Sequence, residues 1–271
     1  MGLKICSLSS GSNGNCVFVS DGKTKILVDA GIAGKRISEG LCEIGERIEE
    51  ISAIFVTHEH SDHIKSIGVL ARKYGISIYG TKGTLTECLY GKNRIGEVQF
   101  TLLNHVKPEE SVYVGDIKVT PFRISHDACD PCAYTFEKDG HKVGFATDLG
   151  FFDDNIINHL SNSELLYLES NHDINMLEVG PYPYPLKQRI KSELGHLSND
   201  DCARLLVKLC NDYDKKVKHV ILAHLSEENN FPELAFETVK AEVNMKVNED
   251  KRPEIHVAPR FTPSFVAELN Y

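Results

Sequence analysis

The chain contains no tryptophan, only three methionines and no apolar run that approaches the length of a membrane-spanning helix. Such a helix needs about 20 consecutive apolar residues, so we expect no transmembrane segment. The first residues also lack the apolar segment of a secretory signal peptide. These absences favour a cytoplasmic protein that does not bind membranes.

A surplus of positive charge is also absent, because 30 lysines and arginines face 39 aspartates and glutamates, for a formal net charge of −9. An acidic protein does not attract nucleic acid or anionic lipid over its whole surface. An anionic substrate would therefore have to bind at a local site. The apolar fraction of 41% is ordinary for a globular protein and supports a real core.

The eight cysteines show little of the spacing that a metal or disulfide framework requires. Only Cys129 and Cys132 have the spacing of metal ligands, and a structural zinc site usually needs a second such pair. Disulfides are rare in the cytoplasm, where thiols are kept reduced. We therefore interpret the cysteines as ordinary thiols.

The order of the predicted elements is typical of an α/β protein. Strands are predicted first in each half of the chain and are followed by alternating helices and strands. One helix is expected to run from an N-cap at Ser61 to a stop at Gly75, and another begins after an N-cap at Ser198. Residues 1–271 contain no low-complexity linker, and they fit one domain of two similar halves with helices covering two sheets.

The most informative segment is "THEHSDHI", residues 57–64, which follows a predicted buried strand and enters a helix. In an extended loop His58 and His60 can point the same way, and Asp62 and His63 follow at the helix start. One tetrahedral ion does not need four ligands so close together, whereas two neighbouring ions do. The pattern predicts a two-metal site that activates water for hydrolysis, with one pair of ligands for each ion.

A second segment, "YPLKQRIKSELGHLSN", offers groups that a phosphodiester would require. Hydrolysis of a phosphodiester needs donors to the non-bridging oxygens and a proton for the leaving alkoxide. Lys187, Arg189 and His196 can supply them. The lysine and the arginine are equally compatible with a solvated helix face, whereas the position of His196, between Gly195 and a helix N-cap, favours a functional role.

The segment "HEHSDH" resembles the signature of the metallo-β-lactamase-fold hydrolases, and the resemblance implies further site residues in chain order. Asp29 in "ILVDAG" would orient the ligand loop, His126 in "SHDACDP" would be a metal ligand, Asp148 in "ATDLG" would bridge the two ions, and His224 in "LAHLSE" would complete the ligands. His105 and His172 compete with His126 for its position. His105 is interpreted as a loop residue, and His172, at another strand end, as a residue that supports the ligands from outside.

The segments "SLSSGSNGNC", "TDLG", "ESNHD", "GHLSN" and "LAHLSEENN" together narrow the resemblance to the YycJ (WalJ) family. That resemblance implies a four-layer αββα sandwich, two divalent ions (zinc, manganese or iron) and a 5′-to-3′ exonuclease that acts on DNA. Asp62 would orient the attacking water, and His196 would protonate the leaving oxygen. The chain departs from the expected pattern at Cys132, where a small residue is expected, and this departure leaves the catalytic positions unaffected.

Two other functions remain open at this point. The acidic composition favours hydrolysis of a small phosphodiester, thioester or lactone, because nucleases usually carry broad basic surfaces. A non-catalytic metal-bound regulatory module is the third reading, and it is disfavoured because every ligand position is filled. The sequence leaves the native metal, the choice between DNA and RNA, and the oligomeric state open.

Overall fold

The protein is described from a computed structural model, which covers residues 2–269. These residues form two compact units. The described part of the first unit comprises residues 2–123, 128–140 and 259–269, and the second unit comprises Ile124–Asp127 and His141–Ala258. The prediction of a single domain over residues 1–271 stays a prediction.

Strands and helices alternate along most of the described chain. The strands are β1 (Lys4–Ser9), β2 (Cys16–Ser20), β3 (Lys25–Val28), β4 (Ala53–Phe55), β5 (Ser77–Gly80), β6 (Leu103–His105), β7 (Val112–Val114), β8 (Ile117–Arg123), β9 (Cys132–Lys138), β10 (His141–Ala146), β11 (Leu165–Glu169), β12 (His219–Ala223), β13 (Glu254–Val257) and β14 (Ala267–Glu268). The helices are α1 (Gly34–Glu43), α2 (Ser61–Ile64), α3 (Ile67–Tyr74), α4 (Lys82–Tyr90), α5 (Asp154–Leu160), α6 (Ile174–Val179), α7 (Tyr184–Lys191), α8 (Asn199–Asn211) and α9 (Pro232–Lys246).

The first unit is built on a sheet in the order β14-β1-β2-β3-β4-β5-β6. The strands from β3 to β6 run parallel, and Val28 at the end of β3 pairs with Phe55 at the end of β4. Residues that follow β3 and β4 therefore lie at the same edge of the sheet, where α/β folds commonly place their ligands. This unit also contains the antiparallel strands β7, β8 and β9.

The second unit contains four parallel strands in the order β13-β12-β11-β10. The residues of β11 are all buried, and those of β10 and β12 are mostly buried, as expected for parallel strands that are covered on both faces. The edge strand β13 contains no fully buried residue. Ala146, Leu168 and Leu222 are paired across β10, β11 and β12. The side chains that follow these strands are thus delivered to one edge.

Most predicted elements are confirmed, but the helix expected from Ser61 to Gly75 is wrong in its first half. It is divided into α2 and α3, and Ser61 is the first residue of α2 rather than a capping side chain. The break occurs at Ser66, because its N–H donates to the carbonyl of Ala30 and its hydroxyl to that of Ile32. The stop at Gly75 is confirmed, with φ of 70°, and so is the N-cap at Ser198, which accepts the Asp201 N–H.

The cysteines and the helices can be compared with what the sequence suggested. All eight cysteines are free; Cys42 and Cys129 are exposed and the other six are buried. Burial raises the pKa of the Cys132 thiol to about 12, and no candidate group of metal ligands within residues 2–269 includes a cysteine. None of the helices in that range combines the length and apolarity that crossing a bilayer would require.

Candidate metal centre

The first unit carries the histidine loop (residues 57–64), which leaves β4 and ends in α2. Its anchor is Asp29, the residue after β3, which is 1% exposed and has a left-handed φ of 59°. One carboxylate oxygen accepts the Thr57 N–H at 2.9 Å, and the other accepts the Thr57 hydroxyl at 2.8 Å. Asp29 thus fixes the start of the loop by hydrogen bonds to both backbone and side chain.

These hydrogen bonds also decide which ring nitrogens can bind a metal. The one hydroxyl proton of Thr57 goes to Asp29, so Thr57 Oγ1 must accept from His58 Nδ1, which lies 3.0 Å away. His63 Nδ1 lies 2.8 Å from Asp29 Oδ2 and donates to it. In both rings Nδ1 carries the proton, and the lone pair is on Nε2, where a metal ligand needs it.

The donors of the histidine loop form two close pairs. His58 Nε2 lies 3.0 Å from His60 Nδ1, and His63 Nε2 lies 3.3 Å from Asp62 Oδ2. Two ligands on one tetrahedral ion, with bonds of about 2.0–2.1 Å, are about 3.3 Å apart. The distances therefore agree with the division into two pairs that the sequence suggests.

The loop between β1 and β2, residues 10–15, reaches the histidine loop through a residue that the sequence did not single out. Asn15 donates its N–H to the carbonyl of Asp62 at 2.8 Å and accepts the Gly31 N–H at 2.8 Å. Its side-chain nitrogen lies 3.1 Å from His63 Nε2. Gly31 is required here, because a Cβ atom would lie 1.6 Å from the Asp62 carbonyl oxygen.

Cys129 and Glu59 make a further contact within the same unit. The N–H of Cys129 donates to Glu59 Oε1 at 2.8 Å. Glu59 stands between the two histidines of the first pair, so this bond holds the middle of the histidine loop. The exposed Cys129 is therefore placed next to the loop by its backbone rather than by its thiol.

The second unit carries a carboxylate–histidine cluster, defined as His126, Asp148, Glu169, His196 and His224. Its centre is Glu169, the last residue of β11, which is fully buried. Glu169 Oε1 accepts from His196 Nδ1 at 2.8 Å and from His224 Nδ1 at 2.9 Å. Oε2 accepts the backbone N–H groups of Leu149 at 2.7 Å and Leu197 at 3.1 Å.

Glu169 is an ionised carboxylate in this environment. Burial alone would raise its pKa, but His196 and His224 together outweigh the burial and hold the pKa well below its usual range. Because Nδ1 of both histidines donates to Glu169, their Nε2 atoms remain for other partners. The sequence reasoning missed this residue, although a glutamate that ends the apolar strand "LLYLE" was a visible signal.

Asp148 lies among the histidines of this cluster. Its Oδ1 is 3.5 Å from His224 Nε2 and 3.8 Å from His126 Nε2, and His126 Nδ1 lies 3.1 Å from the carbonyl oxygen of Gly195. The ligand atoms of Asp148, Glu169, His196 and His224 all lie within 4.8 Å of one another. Burial lowers the pKa of His126 to about 4, so this ring is neutral near pH 7.

Two ligand candidates of the cluster hold a backbone conformation that is rare for residues other than glycine. Asp148 has φ of 57° and His224 has φ of 55°. His224 directly follows the end of β12, as Asp29 follows β3 in the first unit, and Asp148 comes two residues after the end of β10. Left-handed backbone at such residues costs about 1–2 kcal/mol each and persists only where the surroundings impose it.

The remaining residues predicted for the site, His172, Lys187 and Arg189, also lie in the second unit. His172 is buried, which lowers its pKa to about 4, and its Nδ1 forms no hydrogen bond within residues 2–269. His172 and His196 line a pocket of about 170 Å³. Lys187 Nζ donates to the Glu178 carbonyl at 2.8 Å, and Arg189 Nη2 pairs with Asp127 at 2.9 Å.

A family model and two known proteins match most of this chain. A family model described as a β-lactamase superfamily domain matches residues 24–225. The exodeoxyribonuclease WalJ of Streptococcus pneumoniae serotype 2 (strain D39) is 40% identical over 239 residues, which cover 88% of this chain and 87% of that protein. The exodeoxyribonuclease YycJ of Bacillus anthracis is 41% identical over 238 residues, 87% of each chain.

The chain belongs to the YycJ (WalJ) family of the β-lactamase superfamily. Among solved structures, the metallo-β-lactamase fold protein YhfI from Bacillus subtilis matches with a TM-score of 0.72 at 17% identity, over 99% of this chain and 100% of that chain. These findings confirm the predicted family and the predicted fold class, the αββα sandwich of the metallo-β-lactamase fold.

The fold implies that the chain binds divalent metal, and the donors of both units fit such ions. Imidazole nitrogens combined with carboxylate oxygens suit zinc, manganese and iron. The Nδ1 hydrogen bonds of His58 to Thr57, His63 to Asp29 and His224 to Glu169 leave Nε2 of each ring as the lone-pair nitrogen. This is the tautomer that coordination needs.

Proposed function

We propose that this chain is a metal-dependent phosphodiesterase that degrades DNA as a 5′-to-3′ exonuclease in the cytoplasm. The family membership makes it an enzyme of a hydrolase superfamily, and the relatives at 40% and 41% identity are named exodeoxyribonucleases. The observation that carries the proposal is the partly exposed His196, held on a buried carboxylate beside the ligand candidates. A lactone or thioester has less need of such a proton donor than an alkoxide leaving group.

The proposed metal ligands are those that the sequence singled out, and the number of ions is two per chain. Bound divalent ions would supply Lewis-acid activation of water and would neutralise charge on the phosphoryl group. Asp29 and Glu169 accept hydrogen bonds from ring N–H groups of the histidines and thereby position those rings. The proposed ligands are His58, His60, Asp62, His63, His126, Asp148 and His224.

Two residues of the chain would move or direct protons. Asp62 is 25% exposed at its side chain and accepts from Asn15 at 3.4 Å, so its carboxylate is accessible to orient a water molecule. His196 Nδ1–H donates a hydrogen bond to Glu169. The other ring nitrogen, Nε2, is the one that can deliver a proton to the leaving oxygen. The ionised Glu169 stabilises the doubly protonated form that this step requires.

Of the predicted substrate-binding residues, His196 is retained in this proposal. Arg189 pairs with Asp127, the residue after His126, so its guanidinium supports the backbone next to a ligand. Lys187 is half-buried, and its Nζ donates to the carbonyl of Glu178 in α6. A direct role of these two side chains in binding substrate is therefore not part of the proposal.

Metal analysis followed by a substrate panel tests the proposal. The panel contains a bis-aryl phosphodiester, 5′-phosphorylated single-stranded and duplex DNA, RNA, a cyclic phosphodiester and a thioester. We expect about two ions per chain and manganese-stimulated release of nucleotides from the DNA 5′ end. One ion per chain with no phosphodiester cleavage would contradict the proposal, and turnover of the thioester alone would favour a small-molecule hydrolase.

A pair of variants in the histidine loop provides the matched control. Asp62→Asn should lower kcat by about a thousandfold or more, because an amide cannot orient and accept a proton as a carboxylate does. Glu59→Gln lies in the same loop and keeps the oxygen that accepts the Cys129 N–H. Its kcat should stay within about threefold of the wild-type value.

A further inference from the structure

A polar pocket of about 430 Å³ opens beside Asp62 in the first unit. Asn13, Lys65, Asn93 and Arg94 contribute side chains to its lining. It therefore places amide and cationic groups next to the carboxylate that we assign to orienting water. A pocket with this composition suits an anionic, hydrogen-bonding substrate rather than an apolar one.

The cations of this pocket are available for a ligand. Lys65 and Arg94 are exposed, and neither forms a salt bridge with any residue of the described chain. Lys92, two positions before Arg94, is exposed as well. In a protein with a net charge of −9, two such cations in the lining of this pocket form a local attraction for phosphate groups.

Arg94 also lines a second pocket of about 580 Å³, whose walls are mainly apolar. Tyr90 and Phe100 are among its lining residues, and 70% and 76% of their surfaces are exposed. Large aromatic side chains with so much exposure gain little from packing within the chain. Arg94 therefore lines both the polar pocket and a pocket with two exposed aromatic rings.

The segment that carries these residues is held firmly in place. Arg72 of α3 donates to the carbonyls of Ile95 and Glu97, each at 3.0 Å, and the N–H of Ile95 donates to the carbonyl of Cys88 at 2.9 Å. Gly68 permits this close approach, because a Cβ atom there would lie 2.0 Å from the Ile95 carbonyl oxygen. A surface held in this way loses little conformational entropy when it binds a ligand.

We propose that these two pockets form a basic–aromatic groove that binds single-stranded DNA as it enters the site. Lys65 and Arg94 contact backbone phosphates, and Tyr90 and Phe100 stack on unpaired bases. Proteins that bind single strands combine these two elements, a cationic track and aromatic platforms. The inference rests on the proposed function, and it adds that the substrate strand is unpaired where it crosses the first unit.

Equilibrium binding tests the groove separately from catalysis. The probe is a 3′-fluorescent, mixed-sequence single-stranded oligonucleotide, and the protein carries Asp62→Asn to suppress cleavage. Lys65→Ala/Arg94→Ala should raise Kd by about tenfold or more and reduce the slope of log Kd against log salt by about 1.4, since each lost phosphate contact removes about 0.7. Tyr90→Ala/Phe100→Ala should raise Kd by about tenfold with an unchanged slope.

Matched controls come from exposed residues of the same unit. Lys23→Ala and Tyr113→Ala remove a lysine and a 68%-exposed aromatic ring outside the groove, and Kd should stay within about twofold. If the groove variants behave like these controls, the inference is overturned even when the wild-type protein cleaves DNA. If wild-type protein fails to cleave any phosphodiester, the proposed function fails irrespective of Kd.

A kinetic measurement gives the second readout. In proteins with Asp62 restored, the ratio of kcat/KM for single-stranded DNA to kcat/KM for the bis-aryl phosphodiester should fall about tenfold in each groove variant. The small diester has no strand to place in the groove, so a parallel loss of both rates would indicate damage to the site and would contradict the inference. Arg94→Lys should recover part of the loss.

Discussion

In both the histidine loop and the carboxylate–histidine cluster, a buried carboxylate accepts hydrogen bonds from histidine rings, but the number of donors differs. Asp29 accepts from one histidine, one hydroxyl and one backbone N–H, whereas Glu169 accepts from two histidines and two backbone N–H groups. Burial therefore prevails at Asp29 and raises its pKa. At Glu169 the histidines prevail over burial, and the pKa is lowered.

The difference teaches that burial alone does not decide the charge of a carboxylate in a site. What decides it is how many hydrogen bonds the charged form receives, and from which groups. The loop needs only one orienting carboxylate, because its ligands are adjacent in the chain. The cluster draws its members from separate strand ends, and Glu169 is the residue that ties two of them together.

Among changes to residues that support the ligand candidates, the largest effect is expected from neutralising Glu169 and Asp29, each in a separate variant. Glu169→Gln should lower metal affinity and kcat by about 100-fold, because an amide oxygen cannot serve four donors and its NH₂ group opposes the histidine N–H groups. Asp29→Asn should cost about tenfold, since fewer donors are disturbed. Chelator competition measures the affinities; equal losses in the two variants would remove the distinction drawn here.

A second test concerns the close approach of Gly31 to the backbone of the histidine loop. Gly31→Ala should destabilise the protein by about 2–3 kcal/mol, because the new methyl group would overlap the Asp62 carbonyl and displace the loop. Gly34→Ala is the control, since its Cβ would meet its nearest atom at an ordinary 3.4 Å. Urea denaturation of both variants measures the difference, and similar midpoints would show that the close approach is unimportant.

A third test concerns the ring tautomer of His58. Thr57→Val keeps the shape of the side chain but removes the hydroxyl that links Asp29 to His58. Metal affinity should fall by about tenfold, because the ring loses the acceptor that keeps its proton on Nδ1. Thr57→Ser restores the hydroxyl and should recover most of the affinity in the same titration; failure of this rescue would argue against the tautomer mechanism.

The smallest expected effect on activity belongs to a buried carboxylate with lysine partners. Glu164 contacts Lys215 Nζ at 2.7 Å, Lys218 Nζ at 2.8 Å and His141 Nδ1 at 2.7 Å. Burial would raise its pKa, but these partners outweigh burial and lower the pKa from 4.5 to about 2. Its contribution to stability is therefore present above about pH 4.5 and is lost as the pH falls towards 2.

Glu164→Gln should accordingly lower the free energy of unfolding by about 1–3 kcal/mol at pH 7 and leave metal content unchanged. The difference between wild-type and variant stability should shrink as the pH is lowered from 4.5 to about 2. Urea midpoints at several pH values measure it. A loss of metal in this variant would mean that all buried carboxylates, and not only those bound to ligand histidines, support the metal centre.

The same comparison explains what the sequence could reveal. The ligand candidates of the histidine loop were visible in the sequence because four donors stand within six positions after an apolar strand. His126, Asp148 and His224 could be located only through the resemblance, since each is a single residue at a separate strand end. Thr57 and Asn15 could not be found in this way, because their importance lies in contacts that only the folded chain brings together. Glu169 had one signal, its place at the end of the apolar strand "LLYLE", but its histidine partners are far from it in the chain.

The fold was largely predictable, and its errors have physical causes. Apolar alternation predicted most strands, and the caps at Ser198 and Gly75 are confirmed. The division of the helix at Ser66 was not predictable, because this serine donates hydrogen bonds to the carbonyls of Ala30 and Ile32, which are far from it in the chain. No local pattern reports that competition.

The backbone bond between Cys129 and Glu59 has a practical consequence for experiment. Among the eight cysteines, only this one and Cys42 are exposed. In a Cys42→Ser background, a thiol-reactive dye would attach next to the middle of the histidine loop while the buried thiols stay unlabelled. The protein thus carries its own attachment point for an optical probe, one that could follow loading of the site in real time without any residue being inserted.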